Sequence, residues 1–265
     1  MALVAIPSTR PALAWGRLGH AAIGNAALAE LDPAPRAHVM EILQTNSADA
    51  LADAVDEACL WPDTVRDSPD GSRSSPLHYV NIPRHTVHYD RQRDCPDGLC
   101  VTEGILKYAA ELGQPGLERE RRWQSFAWLC HLLGDLHQPL HAGFRDDRGG
   151  NQVNIEYRGE RSNLHLFWDS LLANARASGK EGRMMPLDLL AEEGLPERWN
   201  PADIVTWTEE SHALASARAY PPGGIIDDRF ADASWVLIQQ QWRKAALRLA
   251  LILNSVLAGE TERRE

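Results

Sequence analysis

The stretch His131-Leu132-Leu133-Gly134-Asp135-Leu136-His137-Gln138-Pro139-Leu140-His141 decides how this chain is read. His131 and Asp135 are four residues apart, so a helix places them on one face, about 6 Å apart along its axis. Pro139 cannot continue that helix and turns His141 toward the same side. A second His-x-x-x-Asp pair follows, His165 and Asp169 in Asn163-Leu164-His165-Leu166-Phe167-Trp168-Asp169. One such pair carries little specificity. Two pairs with His141 between them point to a multi-zinc hydrolytic centre, because imidazole and carboxylate are the ligands zinc takes in hydrolases.

The 265 residues suffice for one large domain with a substantial core. Hydrophobic residues make up 44% and charged residues 24%, as in ordinary soluble proteins. No apolar run approaches the length of about 20 residues that a membrane-spanning helix needs. The net charge of −10 argues against a protein that grips long duplex DNA through Lys and Arg. It leaves room for a nucleic-acid enzyme whose positive charge is metal, since bound cations dominate their local field.

Residues 1–14 end in Ala12-Leu13-Ala14, an A-x-A cleavage pattern after an apolar stretch, and read as a signal-peptide remnant ahead of Trp15. They are short for a full signal peptide and lack a basic start, so a disordered tail is the alternative. The four cysteines, an even number, suit disulfides in an exported protein. Cys95 and Cys100 look like the ends of a small closed loop; Cys59 and Cys130 are a pair or two buried thiols. No Cys-x-x-Cys and no Asn-x-Ser/Thr sequence occurs. A periplasmic or secreted bacterial protein is expected.

The chain reads as mostly helix in a single domain, residues 15–265, with no dividing linker. Helices are expected over Trp15–Leu31, Pro35–Gln44, Ala48–Trp61, Thr102–Leu112 with Thr102 as cap, Gly116–Gln138 and Phe230–Leu257. Another starts at Asn200-Pro201. Residues 63–93, rich in Pro, Ser, Asp and Arg, read as an extended functional loop. One β-hairpin is expected around Arg158-Gly159-Glu160.

Further ligand types lie at Trp15-Gly16-Arg17-Leu18-Gly19-His20, Trp61-Pro62-Asp63 and Leu77-His78-Tyr79-Val80-Asn81. Cleavage after Ala14 would free the Trp15 amine, which chelates a metal together with its own carbonyl oxygen. With these residues the chain resembles the zinc-dependent single-strand-specific nuclease/3′-nucleotidase family, whose pattern runs in order from Trp15 to Asp169. The resemblance implies an all-α, phospholipase C-like fold and three zinc ions. One ion would take Asp63, His78, His131 and Asp135. A second would take His141, His165 and Asp169, and a third Trp15 and His20, with Asp135 bridging to the first. Gly149-Gly150-Asn151 matches the family's Gly-Gly-Asn stretch, and Cys95 and Cys100 its small disulfide loop. The implied activity is hydrolysis of single-stranded DNA and RNA to 5′-phosphorylated products, with 3′-nucleotidase activity and a zinc-bridged hydroxide as nucleophile. The partners implied are single-stranded nucleic acid and nucleotides, acted on by a monomer.

One position departs from the family pattern. Fungal members carry an aspartate three residues after the loop histidine, assigned to orienting the attacking water; here that residue is Asn81, which cannot take a proton. Asn81 and Asp135 are the catalytic candidates, and Asn81, Arg84 and Asn151 the substrate-binding ones. Phe144, Tyr79 and Tyr157 are candidates to stack a base, against the plainer reading that aromatics fill the core. His137 and His212 read as buried hydrogen-bonding residues, and His38, His85 and His88 as surface residues. The alternatives are a phospholipase C-like phosphodiesterase, which shares this kind of site, and a metal-binding protein without activity.

Overall fold

In a computed structural model, which describes residues 15–68, 73–177 and 198–261, seven longer helices carry the fold. They are α1 (Gly16–Ala29), α2 (Pro33–Ile42), α3 (Ala48–Arg66), α4 (Val101–Leu112), α5 (Arg119–Leu136), α6 (Asp203–Leu214) and α7 (Asp228–Thr261). The expected signal-peptide remnant lies outside the described residues. Among the described residues, no helix is long and apolar enough to cross a membrane.

Helix α5 is the centre of the molecule, packed against α4, α3, α1 and α7. Its residues from Ser125 to Leu136 are all buried, so the apolar spacing at Phe126, Leu129 and Leu133 marks a helix covered on every side over its last three turns. Gly134 lets α1 approach closely: a Cβ there would lie 2.8 Å from the His20 ring. A small two-stranded antiparallel sheet, β1 (Asn154–Tyr157) with β2 (Glu160–Asn163), is the expected hairpin. Its tight turn places Arg158 and Gly159 at positive φ, as a two-residue hairpin turn of type I′ demands.

Several expectations need correction. Helix α3 does not stop at Trp61 but runs through Pro62 to Arg66. Proline removes one helical hydrogen bond, and the packing of α3 on α5 keeps the last turn in place. Residues 63–93 are therefore less irregular than expected: they begin in α3 and include a 3-10 turn, Ser75–His78, and a helical turn, Arg91–Asp94. Thr102 is not a cap. It lies inside the first turn of α4, and its hydroxyl pairs with that of Thr208 on α6. Asn200 caps a turn rather than the helix, its side chain accepting from the Ala202 amide, one residue before α6 starts at Asp203. Cys95–Cys100 forms, and Cys59 and Cys130, left open by the sequence, are also joined.

Candidate metal centre

Among the described residues, three buried groups of ligand type form on this scaffold: His20, His131 and Asp135; Asp63, His78 and His131; and His141, His165 and Asp169. His131 and Asp135 stand one turn apart at the end of α5, and His20 comes from α1, its ring stacked on that of His131 at 4.0 Å. Asp63 is delivered by the turn of α3 that continues past Pro62. After His137 the chain leaves α5 and makes a 3-10 turn, Pro139–Ala142, that brings His141 within 3.6 Å of Asp169. Asp169 lies in a π-helical turn, Phe167–Leu171, a distortion frequent at functional sites.

Asp135 occupies the middle. Its Oδ1 faces His20 Nε2 at 3.4 Å and His141 at 3.9 Å; its Oδ2 faces His78 Nδ1 at 2.9 Å and His131 Nε2 at 3.3 Å. One carboxylate thus addresses two sets of imidazoles.

Backbone carbonyls orient the rings. His131 Nδ1 donates to the Cys59 carbonyl at 2.8 Å, His141 Nδ1 to the His78 carbonyl at 2.6 Å, and His165 Nδ1 to the Gly149 carbonyl at 2.7 Å. Each bond turns Nε2 of its ring toward the cluster. Gly149 has a positive φ and no room for a side chain, since a Cβ would lie 2.3 Å from the Leu140 carbonyl oxygen. That accounts for the Gly149-Gly150 pair in the sequence.

The electrostatics are those of a site built around cations. Burial alone would raise Asp135 and Asp169, but neighbouring histidines hold both carboxylates well below their ordinary range. Burial would lower His131, yet Asp135 and Asp63 outweigh it and raise it to about 9. His20 and His78 are pushed down by burial. Both ring nitrogens of His20, both oxygens of Asp63, His78 Nε2, Asp135 Oδ1, His141 Nε2 and Asp169 Oδ2 are buried with no hydrogen-bond partner. Each such atom costs about 1–3 kcal/mol when left unpaired. A cluster of orphaned nitrogen and oxygen atoms fits zinc ligation, and the donor set contains no sulfur.

Around this cluster lie the other residues picked out in the sequence. Trp15 opens α1, and its indole donates to the carbonyl of Gly134, the residue before Asp135. Residues 80–82 run parallel to 141–145, with Val80 N–H bonded to the His141 carbonyl and Ile82 N–H to that of Gly143. This ladder holds Asn81 half-buried beside the Gly149 turn. Asn151 is exposed, its amide on the Arg148 carbonyl. The Arg84 guanidinium is already engaged by Asp146 and Asp147 and lies over the Phe144 ring, 3.8 Å from its centroid. Phe144 and Tyr157 are buried, packed on Tyr220 and Phe167, so they are core and not open platforms. Tyr79 alone of the three is exposed. His137 and His212 bond to backbone carbonyls away from the cluster, and His85 and His88 are exposed, as read from the sequence.

Two residues of the site escaped sequence reading. Arg66, one turn after Asp63, places Nη1 3.0 Å from the Asp63 carboxylate without hydrogen-bond alignment, while its Nη2 is buried and unpartnered. The Asp63-x-x-Arg66 spacing would have shown this, had α3 been read through Pro62. Gln138, fully buried, donates to Asp169.

The S1/P1 nuclease family model matches residues 15–258. Among similar proteins, Endonuclease 4 of Arabidopsis thaliana is 27% identical over 94% of this chain and 91% of its own. Nuclease P1 of Penicillium citrinum is 26% identical over 93% of this chain and 99% of its own. Nuclease S1 of Aspergillus oryzae is 29% identical over 62% of this chain and 56% of its own. With a match spanning nearly its whole length, and a buried His/Asp cluster drawn from five separate segments of that length, the chain belongs to the S1/P1 nuclease family.

Proposed function

We propose that the protein is a zinc-dependent endonuclease that hydrolyses phosphodiester bonds of single-stranded DNA and RNA to 5′-phosphorylated products and removes 3′-phosphate from mononucleotides. The observation that carries this reading is Asp135, whose two carboxylate oxygens face separate imidazole groups in a fully buried site. Three ions would be held by Asp63, His78, His131 and Asp135, by His141, His165 and Asp169, and by His20 with the Trp15 amine and carbonyl, Asp135 bridging. Bound zinc would supply a water of lowered pKa and positive charge for the phosphate.

The chain's own residues do the rest. Asn81, held by the 80–82 ladder, offers an amide to a water or phosphate oxygen but takes no proton. Arg66, beside Asp63, keeps a buried, unpartnered Nη2, a donor that a phosphate oxygen would accept. Arg66 is also paired, its Nε donating to Asp67 and its Nη1 lying beside Asp63, but unlike Arg84 it adjoins a residue of the cluster and keeps Nη2 free of a partner. Tyr79, exposed next to His78, is the aromatic surface open to a base. A paired base would have to leave its stack to reach so deep a cluster, at a cost of a few kcal/mol, which favours single strands. The two disulfides support an exported protein, secreted or periplasmic; it would act as a monomer. The phospholipase C-like alternative gains no support from the relatives named above, which are nucleases.

The test uses protein beginning at Trp15, loaded with zinc and incubated with single-stranded DNA with and without a chelator. Chelator-sensitive release of 5′-phosphorylated products is expected. Full zinc occupancy with no cleavage, but turnover of short-chain phosphatidylcholine, would overturn the reading.

A further inference from the structure

Gln138 belongs to the opening sequence motif, yet neither ligation nor catalysis has used it. It follows the end of α5 and is completely buried. Its backbone N–H bonds to the Asp135 carbonyl at 3.0 Å, and its carbonyl accepts from His141 N–H at 2.9 Å. Its side-chain oxygen accepts from Leu140 N–H at 2.6 Å, and its side-chain nitrogen donates to Asp169 Oδ1. One residue therefore touches the segments carrying Asp135, His141 and Asp169.

The Leu140 contact settles which way the amide points. A backbone N–H can only donate, so the side-chain oxygen must face Leu140 and the NH2 group must face Asp169. An NH2 group only donates, so Asp169 Oδ1 is held as an acceptor. Oδ2 is then left buried, with no hydrogen bond, 3.2 Å from His165 Nε2, while His141 Nε2 lies 3.6 Å from Oδ1. A neutral donor does this without adding charge; a carboxylate in its place would repel Asp169.

We infer that Gln138 is a positioning residue for the His141, His165 and Asp169 group: it occupies one oxygen of Asp169 and reserves the other for a metal ion. The inference rests on the zinc reading of the cluster. Groups that orient a metal ligand in this way are worth about 10–100-fold in metal affinity.

The test compares stepwise zinc affinities, by chelator competition, of the purified protein and of Gln138→Glu, Gln138→Met and the exposed-site control Gln152→Met. Gln138→Glu keeps size and the acceptor for Leu140 N–H but replaces the donor with a carboxylate; Gln138→Met loses donor and acceptor without adding charge. Folding is followed in parallel by circular dichroism of the zinc-free proteins. The expected result is one uptake step weakened about 10–100-fold in both Gln138 variants, the other steps and the Gln152→Met protein unchanged. Restriction to one step separates positioning from general loosening, which moves every step. A folded Gln138→Met with all affinities intact overturns the inference, as does loss of the zinc-free fold in both Gln138 variants, which makes the residue structural. Failure of the unmutated protein to take up zinc instead overturns the zinc reading itself.

Discussion

Removing each disulfide in turn tests how the fold supports its metal centre. Cys59 and Cys130 are 71 residues apart in sequence, whereas Cys95 and Cys100 are 5 apart. If a crosslink acts mainly by restricting the unfolded chain, loop entropy gives about 4 kcal/mol for the first and about 2 kcal/mol for the second. The long-range bridge joins α3 to α5 where α1 also packs, since a Cβ on Gly24 would lie 2.8 Å from Cys59 Sγ. It also adjoins the site: Cys130 precedes His131, and the Cys59 carbonyl accepts the His131 Nδ1–H bond. Cys59→Ala/Cys130→Ala should therefore cost about twice the unfolding free energy of Cys95→Ala/Cys100→Ala, and should also weaken zinc binding. The assay is guanidinium unfolding at one fixed zinc excess, compared as free energies, because an unbridged chain changes the m-value too. Equal losses, or a larger loss from the small loop, would refute the reasoning and place the stabilisation in native contacts.

A protein starting at Met1, with the Ala14–Trp15 peptide bond intact, has no Trp15 amine to offer; it should bind one zinc more weakly and cleave more slowly than protein starting at Trp15, and equal zinc content and rates would refute this. Arg66→Ala should lower kcat by about 10²–10³, the usual effect of removing one preorganised donor, with zinc content unchanged; a normal rate would remove Arg66 from the reaction. Asn81→Asp should raise cleavage of long polymers relative to release of phosphate from 3′-mononucleotides, and unchanged rates on both would make the departure from the family pattern inert. His137 is kept neutral by burial and by Arg248 beside it, well below its ordinary value. The unfolded chain takes up this proton near pH 6.5 and the fold does not, so stability is intact above about 6.5 and falls below it by up to about 1.4 kcal/mol per pH unit. His137→Gln, which cannot take the proton and keeps an acceptor for Arg248, should lose less Tm than the unmutated protein between about pH 6.5 and 5; parallel losses would refute the assignment.

What the sequence made legible was local. His131 and Asp135, or His165 and Asp169, are visible because four-residue spacing on a helix is a fixed geometry, and α5 was foreseeable from the recurrence of Phe126, Leu129 and Leu133. The ends of elements were less so: Pro62 looked like a stop because local rules count its lost hydrogen bond and not the packing of α3 on α5. That error hid Arg66 among loop residues. Other contributors have no local signature. The Cys59 carbonyl that orients His131 is 72 residues away and belongs to the backbone, which every residue shares. Gln138 reaches Asp169 across 31 residues, and only the fold reveals that its amide faces a carboxylate. Arg84 shows the converse, a cation that suits phosphate by type but is already claimed by Asp146 and Asp147.

An enzyme for polyanions with a net charge of −10 seems miscast until the range of the forces is considered. At physiological salt, charges farther apart than about 8 Å are largely screened, so the acidic surface says little to a phosphate inside the site. There the fold gathers Asp63, Asp135 and Asp169 among five imidazoles, with Arg66 at the edge. Such buried carboxylates repel a substrate while bare, and the site would attract it once bound dications outweighed them. The chain therefore needs no basic groove: bound metal would supply the attraction at the scissile phosphate, while the acidic surface does nothing to hold duplex at a distance from the cluster. Selection for single strands then follows from depth, because only a strand free to unstack can bring its backbone down to Asp135.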